Sequence, residues 1–389
     1  MPPVIDLDGL GLDGGAHLLI EHALGSLRPG ESLRVRGHHP ALAVHLAAWC
    51  RAEGHVYRPD LVVVKGSADE ERWAHAERAG QATAAVAERA KLEWGLAARG
   101  ALVEPGGPAL DVDWAERDHV WADIAPQLYA QANANQWNPA TVVDWAGPHP
   151  VPDDIEAAVV QIMTYLVENE QAALMIPARM LSRLHPHYRE VMQLLAAQAA
   201  DEARHVEIFT RRALLHHDVL GVSGAGGRSS LQSLLDEPDF TLASFLLSVL
   251  GEGSFLDLLR FIQRHAPDQA TAQVTMLAGR DEARHVAFGV AHTAHVVRSD
   301  PAYLSRLRGA VERRHSVLVD TAGLNKQVFD SLVVLAAGSW TPAAVARGWQ
   351  EVQHLQHQMD EGRQRRLQFI GFPDDEAAAI SALHTRNFM

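Results

Sequence analysis

Five residues are spelled twice in this chain, as Asp201-Glu202-Ala203-Arg204-His205 and Asp281-Glu282-Ala283-Arg284-His285, and a valine follows each copy. Both copies lie in long Ala/Leu-rich runs without proline. On a helix, residues three apart share a face about one turn apart. Glu202 with His205, and Glu282 with His285, therefore present a carboxylate and an imidazole side by side. One such pair can reach a metal ion, and two pairs can hold two. A lone Glu-x-x-His on an Ala-rich helix is commonly a solvated face, but two identical copies are harder to explain that way.

Four long helices are expected to carry these groups, at about 154–182, 187–217, 241–265 and 269–298, from their apolar periodicity. Short turns join the members of each pair. A Gly/Ser-rich stretch, Gly221 to Ser230, joins the pairs as a longer crossover. That loop pattern fits a ferritin-like bundle, whose dimetal site takes a Glu-x-x-His from each of two helices and one carboxylate from each of the others. The third helix offers Glu252, on a stripe otherwise made of Phe245, Val249, Leu256 and Leu259. A charge on a core-facing stripe is costly unless it is paired or metal-bound. Glu237 precedes the helix and Asp257 points off the stripe. The first helix offers Glu168 and Glu170. Glu170 shares its face with Leu166, Val167, Ala173 and Leu174 and is preferred, while Glu168, beside Gln161, Tyr165 and Ala172, stays open. Four carboxylates and two imidazoles suit iron or manganese better than structural zinc.

These segments resemble the bacterial multicomponent monooxygenase hydroxylases of the ferritin-like di-iron carboxylate superfamily. The likeness lies in both Asp-Glu-x-Arg-His motifs, in Gly251-Glu252-Gly253-Ser254-Phe255 and in Glu170-Gln171-Ala172-Ala173. It spans roughly 154–298 and is sparse outside the motifs. The resemblance implies two Fe ions (Mn the alternative), with O2 as co-substrate and C–H or N–H oxygenation of a small organic molecule. Glu170, Glu202, His205, Glu252, Glu282 and His285 would be the ligands and catalytic groups, and the Glu-x-x-Ala likeness favours Glu170. It also implies that Asp201 orients His285 and Asp281 orients His205, with Arg204 and Arg284 balancing the buried acids. Three departures narrow it. Leu256 stands where the hydroxylases carry threonine, Phe209 where ribonucleotide reductase small subunits carry the radical tyrosine, and Ala278 where arylamine N-oxygenases carry a seventh ligand. No flavin, NAD or iron–sulfur motif is present, so a separate electron-donor reductase is expected. The alternatives are a ferritin-like ferroxidase active in iron binding or peroxide detoxification, and a non-enzymatic binding module.

The glycines flanking Glu252 each cost a helix about 1 kcal/mol relative to alanine. They fit a π-bulge at a functional site, room for substrate beside the metals, or a close helix approach. His292 continues the His285 stripe and is expected in the core or on the surface, with the pocket as the alternative.

The expected fold class is mainly α: a ferritin-like four-helix bundle (154–300) with flanking helices and a small N-terminal α/β domain (1–66). In the latter, strands at Val4 to Leu7, Leu33 to Arg36 and Leu61 to Val64 alternate with helices at His17 to Leu27 and Ala41 to Ala52. This segment resembles the TusA-like sulfur-carrier family at Leu7-Asp8, Ala23-Leu24, Leu27, Pro29-Gly30-Glu31, Trp49-Cys50-Arg51 and Gly54-His55. Asp13-Gly14-Gly15 occupies the place of that family's Cys-Pro, which leaves an accessory or docking role. Cys50 is expected in the core. Residues 67–153 read as a helical linker region, with a surface helix to Gly100, a Pro/Gly-rich linker from Val103 to Val112, and a helix from Trp114 to Asn135. A C-terminal helical extension, 301–389, breaks between Gly338 and Pro342 and ends in HTRNFM.

Of 389 residues, 47% are hydrophobic and 21% charged, enough apolar content for a sizeable core. A formal charge of −14 argues against nucleic acid or an anionic membrane as partner. With Cys50 alone no intrachain disulfide can form, which fits a cytoplasmic location. Neither a signal peptide nor an apolar stretch long enough to span a bilayer is expected. A homodimer is a possible assembly.

Overall fold

The computed structural model describes residues 1–83, 85–318 and 326–384, so the HTRNFM tail lies outside them beyond His384. The chain divides into two compact units, Met1–Ala85 with Glu93–Leu110, and Val86–Leu92 with Asp111–Met389.

The first unit is built on the elements β1 (Val4–Asp6), α1 (Ala16–Gly25), β2 (Ser32–Arg36), α2 (Leu42–Ala52), β3 (Val56–Arg58) and β4 (Val62–Val64). The sheet order is β1-β2-β4-β3, with β1 parallel to β2 (Val4 opposite Arg34) and the other pairs antiparallel. Alternation sets the faces. Leu33 and Val35 point inward and Arg34 and Arg36 outward, while Ile20 and Leu24 of α1 and Leu42, Leu46 and Cys50 of α2 complete one core. Burial pushes the Cys50 thiol up to about 11. Strand β3 was not expected. It has three residues, and Asp60 and Leu61, both at positive φ, turn it back onto β4.

The surface helix expected to run to Gly100 shrinks to α3 (Ala68–Trp73). Beyond it the chain forms a small β5 (Glu77–Arg78) and β6 (Leu102–Val103) pair around buried Trp94, whose indole donates to Glu77 at 3.1 Å. Gly80 and Gly100 hold φ of +66° and +90°, which a right-handed helix does not allow. A Cβ on Gly100 would lie 2.6 Å from the Ala82 nitrogen.

In the second unit, the helix expected from Trp114 forms only as α4 (Ala125–Ala134). The residues before it, including buried Trp114 and Trp121, follow an irregular path. The bundle follows: α5 (Asp153–Leu181), α6 (Arg189–Ala213), a third helix, and α10 (Gln269–Ser299). The third helix is continuous and mixed, with α8 (Phe240–Ser244), a π-helical stretch (Phe245–Glu252) and α9 (Gly253–Arg264). Short links at 182–188 and 265–268 turn α6 back along α5 and α10 back along α9. Asp268 caps α10 by accepting from the Thr271 amide at 2.8 Å. The Gly221 to Ser230 crossover is helical from Ala225, where α7 (Ala225–Leu235) buries Gly227, Ser230 and Leu234. Flanking helices follow, α11 (Tyr303–Leu318), α12 (Lys326–Ala337), α13 (Pro342–Ile370) and α14 (Asp374–His384), with the expected break between α12 and α13.

One expectation about apolar length is corrected. The helix Phe240–Arg264 is long and apolar enough to cross a membrane, with mean hydropathy 1.6 over an 18-residue window, but 83% of that window is buried. Its apolar surface belongs to a core that includes Met163, Leu166, Phe209, Leu258 and Ile262.

Candidate metal centre

Each bundle helix brings its predicted acid to one place. Glu170 comes from α5, Glu202 and His205 from α6, Glu252 from the end of the π-helical stretch, and Glu282 and His285 from α10. All six are at most 5% exposed. Glu168, the open alternative, is only half-buried and stays out of the cluster. His205 Nδ1 lies 2.9 Å from Glu202, 3.3 Å from Glu282 and 3.4 Å from Glu170. His285 Nδ1 lies 3.0 Å from Glu202 and 3.4 Å from Glu282. The donor atoms fall into two groups, Glu170/Glu202/His205/Glu282 and Glu202/Glu252/Glu282/His285, each within 4.8 Å. Glu202 and Glu282 belong to both, as bridging ligands would.

Glu170 Oε1, Glu202 Oε1, Glu252 Oε2, Glu282 Oε2 and His285 Nδ1 are buried without a hydrogen-bond partner among the described residues. Buried polar atoms are normally satisfied. Here His285 Nδ1 and Glu202 Oε1 approach to 3.0 Å without forming a hydrogen bond, as ligands aimed at a common ion do. Four carboxylate charges also match two dications, removing the penalty of burying them unpaired. Without ions, burial and then the Glu202 and Glu282 charges hold Glu170 well above its usual range, and burial and then Glu282 do the same for Glu252. Burial also works to raise Glu202, but the two imidazoles overcome it and hold that group low.

Behind the imidazoles stands a crossed pair of acids. His285 Nε2 meets Asp201 at 3.1 Å, and His205 Nε2 meets Asp281 at 3.4 Å, the reciprocal pairing the motif resemblance implies. An acceptor on Nε2 fixes the ring orientation and leaves Nδ1 free to ligate. Arg284 donates to Asp281 at 2.6 Å and Asp201 at 3.0 Å. Arg204 bonds Asp201, lies 3.5 Å from Asp281 and donates to Gln136 at 2.6 Å. Both aspartates are consequently held below their usual range despite burial, through the imidazoles and arginines.

Sequence reasoning missed two contributors. Trp137, read only as a helix stop, donates from its indole to Asp281 at 2.8 Å, stacks on His205 at 6.2 Å, and lies under Arg204. Gln198 donates to Glu252 at 3.1 Å. It precedes Glu202 by one turn on the same face, a signal the sequence did carry. His292 is not part of the cluster. It is fully buried, bonding the Thr241 hydroxyl and the Trp121 carbonyl at 2.9 Å each, and burial pulls it down to about 4.

Of the two glycines around Glu252, Gly253 is the one that a neighbouring helix requires. A Cβ on Gly253 would sit 2.4 Å from Arg366 Nε, which reaches in from α13 and donates to the Val249 carbonyl at 2.8 Å. A π turn shifts the backbone ladder, and Arg366 caps one carbonyl within it. Gly289 of α10 lets that helix approach, because a Cβ there would lie 2.5 Å from Ser248 Cβ. Beside the cluster, Glu170, Glu252 and Glu282 share a cavity of about 30 Å³ with Leu231, Leu247 and Phe255. That is room for a water or two.

No family model matches the chain, and no curated protein sequence matches it significantly. Similar solved structures are point mutants of R2-like ligand-binding oxidase. One, with aerobically reconstituted Mn/Fe cofactor, has 19% identity over 64% of this chain and 95% of that one, at a TM-score of 0.47. Another, with aerobically reconstituted Fe/Fe cofactor, has 18% identity over the same shares, at a TM-score of 0.48.

Proposed function

We propose that this chain is an O2-dependent dimetal oxidoreductase that oxygenates a C–H or N–H bond of a small organic substrate. The two overlapping donor groups that share Glu202 and Glu282, with their unsatisfied atoms turned inward, carry this reading. Iron suits the oxygen-rich set, with manganese as the alternative. When bound, the metal pair supplies the reduction of O2 and the oxidation of the substrate. The chain's own residues do the rest. Glu170, Glu202, His205, Glu252, Glu282 and His285 would hold the pair, Glu202 and Glu282 being common to both donor groups. Asp201 and Asp281 keep the imidazoles oriented, and Trp137, stacked on His205, shields that ring from water. The Leu231, Leu247 and Phe255 side chains beside the carboxylates offer an apolar surface that an organic group can rest against. Monooxygenation consumes two external electrons, so a separate reductase completes the system.

The test is anaerobic loading with Fe(II), elemental analysis, and O2 uptake on mixing with air. Two irons per chain and rapid uptake are expected. Glu202→Ala or Glu282→Ala should lose the pair, and retention of two tightly bound irons in either variant would refute the ligand assignment.

A further inference from the structure

Arg314, on α11, is a buried cation that the metal centre does not use. It is 6% exposed. Its Nε donates to Ser233 Oγ at 3.0 Å, and its Nη2 to Ser230 Oγ at 2.8 Å and more weakly to the Ser230 carbonyl at 3.5 Å. Among the described residues no carboxylate pairs with it. Arg212, fully enclosed, has both Glu156 and Asp268 at 2.6 Å. A guanidinium buried without a counter-ion is costly, and burial alone pulls Arg314 down to about 10. Within its electrostatic reach, the Tyr165 hydroxyl is buried with no hydrogen-bond partner among the described residues.

Arg314 lines two spaces. One is the small cavity that touches Glu170, Glu252 and Glu282. The other is a cleft of about 670 Å³ between α7 and α11, lined also by Arg228, Arg313, Asp236 and Glu237. Arg313 is matched by Glu237 at 3.8 Å. Three arginines face two acids, so the cleft as a whole can accept one negative charge. The inner cavity is too small for an organic molecule as it stands, whereas the cleft is of ligand size.

We propose that this cleft is the substrate entrance, and that the substrate is a monocarboxylate whose carboxylate docks on Arg314 with its apolar part directed past Leu231 and Phe255 toward Glu170 and Glu252. The inference rests on the oxygenase reading for what happens at the metals, but not for the anion site. A guanidinium fork matches a planar carboxylate in two parallel hydrogen bonds. Asp236 and Glu237 at the same cleft disfavour a dianion such as a phosphate monoester. The apolar part enters as Arg314 exchanges serine contacts for the carboxylate and the α7 leucines give way.

The test uses the full chain, metal-free and iron-loaded, with phenylacetate and hexanoate as probes and their primary amides as controls, read by calorimetry. Wild type should bind at least one carboxylate at millimolar concentration or tighter in both forms, and neither amide comparably. Arg314→Gln should weaken carboxylate binding at least about tenfold, as expected for loss of a charge-assisted hydrogen bond, and Arg314→Lys should fall between. A structural role for Arg314 predicts a lower melting temperature for Arg314→Gln without ligand, whereas the anchor role predicts an equal or higher one. Equal carboxylate affinity in wild type and Arg314→Gln, or no binding of either carboxylate to the wild-type chain, overturns the proposal. Arg314-dependent binding in a chain that fails to hold two metals would preserve the anchor and remove the oxygenase reading instead.

Discussion

Around His205, the Trp137 indole stacks on the imidazole and donates to the aspartate behind it, and the guanidinium over that indole reaches out to Gln136. Around His285 no indole stands among the described residues, and the matching arginine, Arg284, turns inward to both aspartates. The glutamates differ as well. Glu170 sits on a regular α-helix, whereas Glu252 ends a π-helical stretch and is held by Gln198. Seven residues beyond each histidine the contrast repeats. Arg212 is charged and saturated by Glu156 and Asp268, while His292 is neutral between Thr241 and a backbone carbonyl. Two copies of one pentapeptide thus supply the same candidate ligand pair to unequal surroundings, and residues remote in sequence make the difference.

The largest effects should fall on what the halves share. On the proposed ligand set, Glu202→Ala or Glu282→Ala removes a carboxylate common to both donor groups and should empty both positions, whereas Glu170→Ala or Glu252→Ala should leave one ion bound. Elemental analysis after dialysis decides this, and one retained ion in a bridging variant would break the shared-ligand picture. Next comes the pair beyond the histidines. Arg212→Met strands two buried carboxylates and should cost about 3–5 kcal/mol in denaturant unfolding. A loss under about 1 kcal/mol would show that Glu156 and Asp268 find other partners.

His292 should respond to pH instead. Its folded value of about 4 lies below the usual 6.5. As pH falls below 6.5 the unfolded chain takes up a proton that the folded chain refuses. Stability is therefore lost from pH 6.5 downward, and the loss is complete near pH 4 at about 3 kcal/mol. The same acid limb measured on His292→Gln should be shallower by that amount, and parallel limbs would contradict a neutral buried ring. The smallest effect separates the two imidazoles. Trp137→Phe keeps the stacking but deletes the donor to Asp281, and should weaken one metal position by about tenfold or somewhat more. Equal weakening at both positions, followed by metal competition, would remove the distinction.

The parts of the site fixed by local spacing were legible in the sequence. Glu-x-x-His needs only helical periodicity, and Glu252 announced itself as a charge on an apolar stripe. Glu170 and Glu168 could be ranked but not separated, because adjacent faces of an Ala-rich helix look alike to a periodicity argument. Trp137 was out of reach, since its partner Asp281 lies 144 residues away. Arg314 reads like any arginine of a charged helical stretch until α7 closes over it. That helix was itself missed, because GVSGAGGRSS looks like loop while Gly227 and Ser230 serve as a packing surface. The stretch from 67 to 100 failed the other way. Helix-favouring composition was overridden by glycines at left-handed φ and by a tryptophan that the fold buries.

The π-helical stretch has a consequence best stated in residue count. A π turn holds one residue more than the α turn it replaces, and each residue of an α-helix advances about 100° around the axis. Deleting a single residue between Phe245 and Glu252 would let the helix close into regular α geometry and recover hydrogen bonds. Because the wider turn spends that extra residue within one turn, the ends of the helix would keep nearly their present directions, and the change would fall on the stretch itself, where the Val249 carbonyl now turns to Arg366. The extra residue therefore shapes the backbone beside Glu252 rather than the aim of the helix.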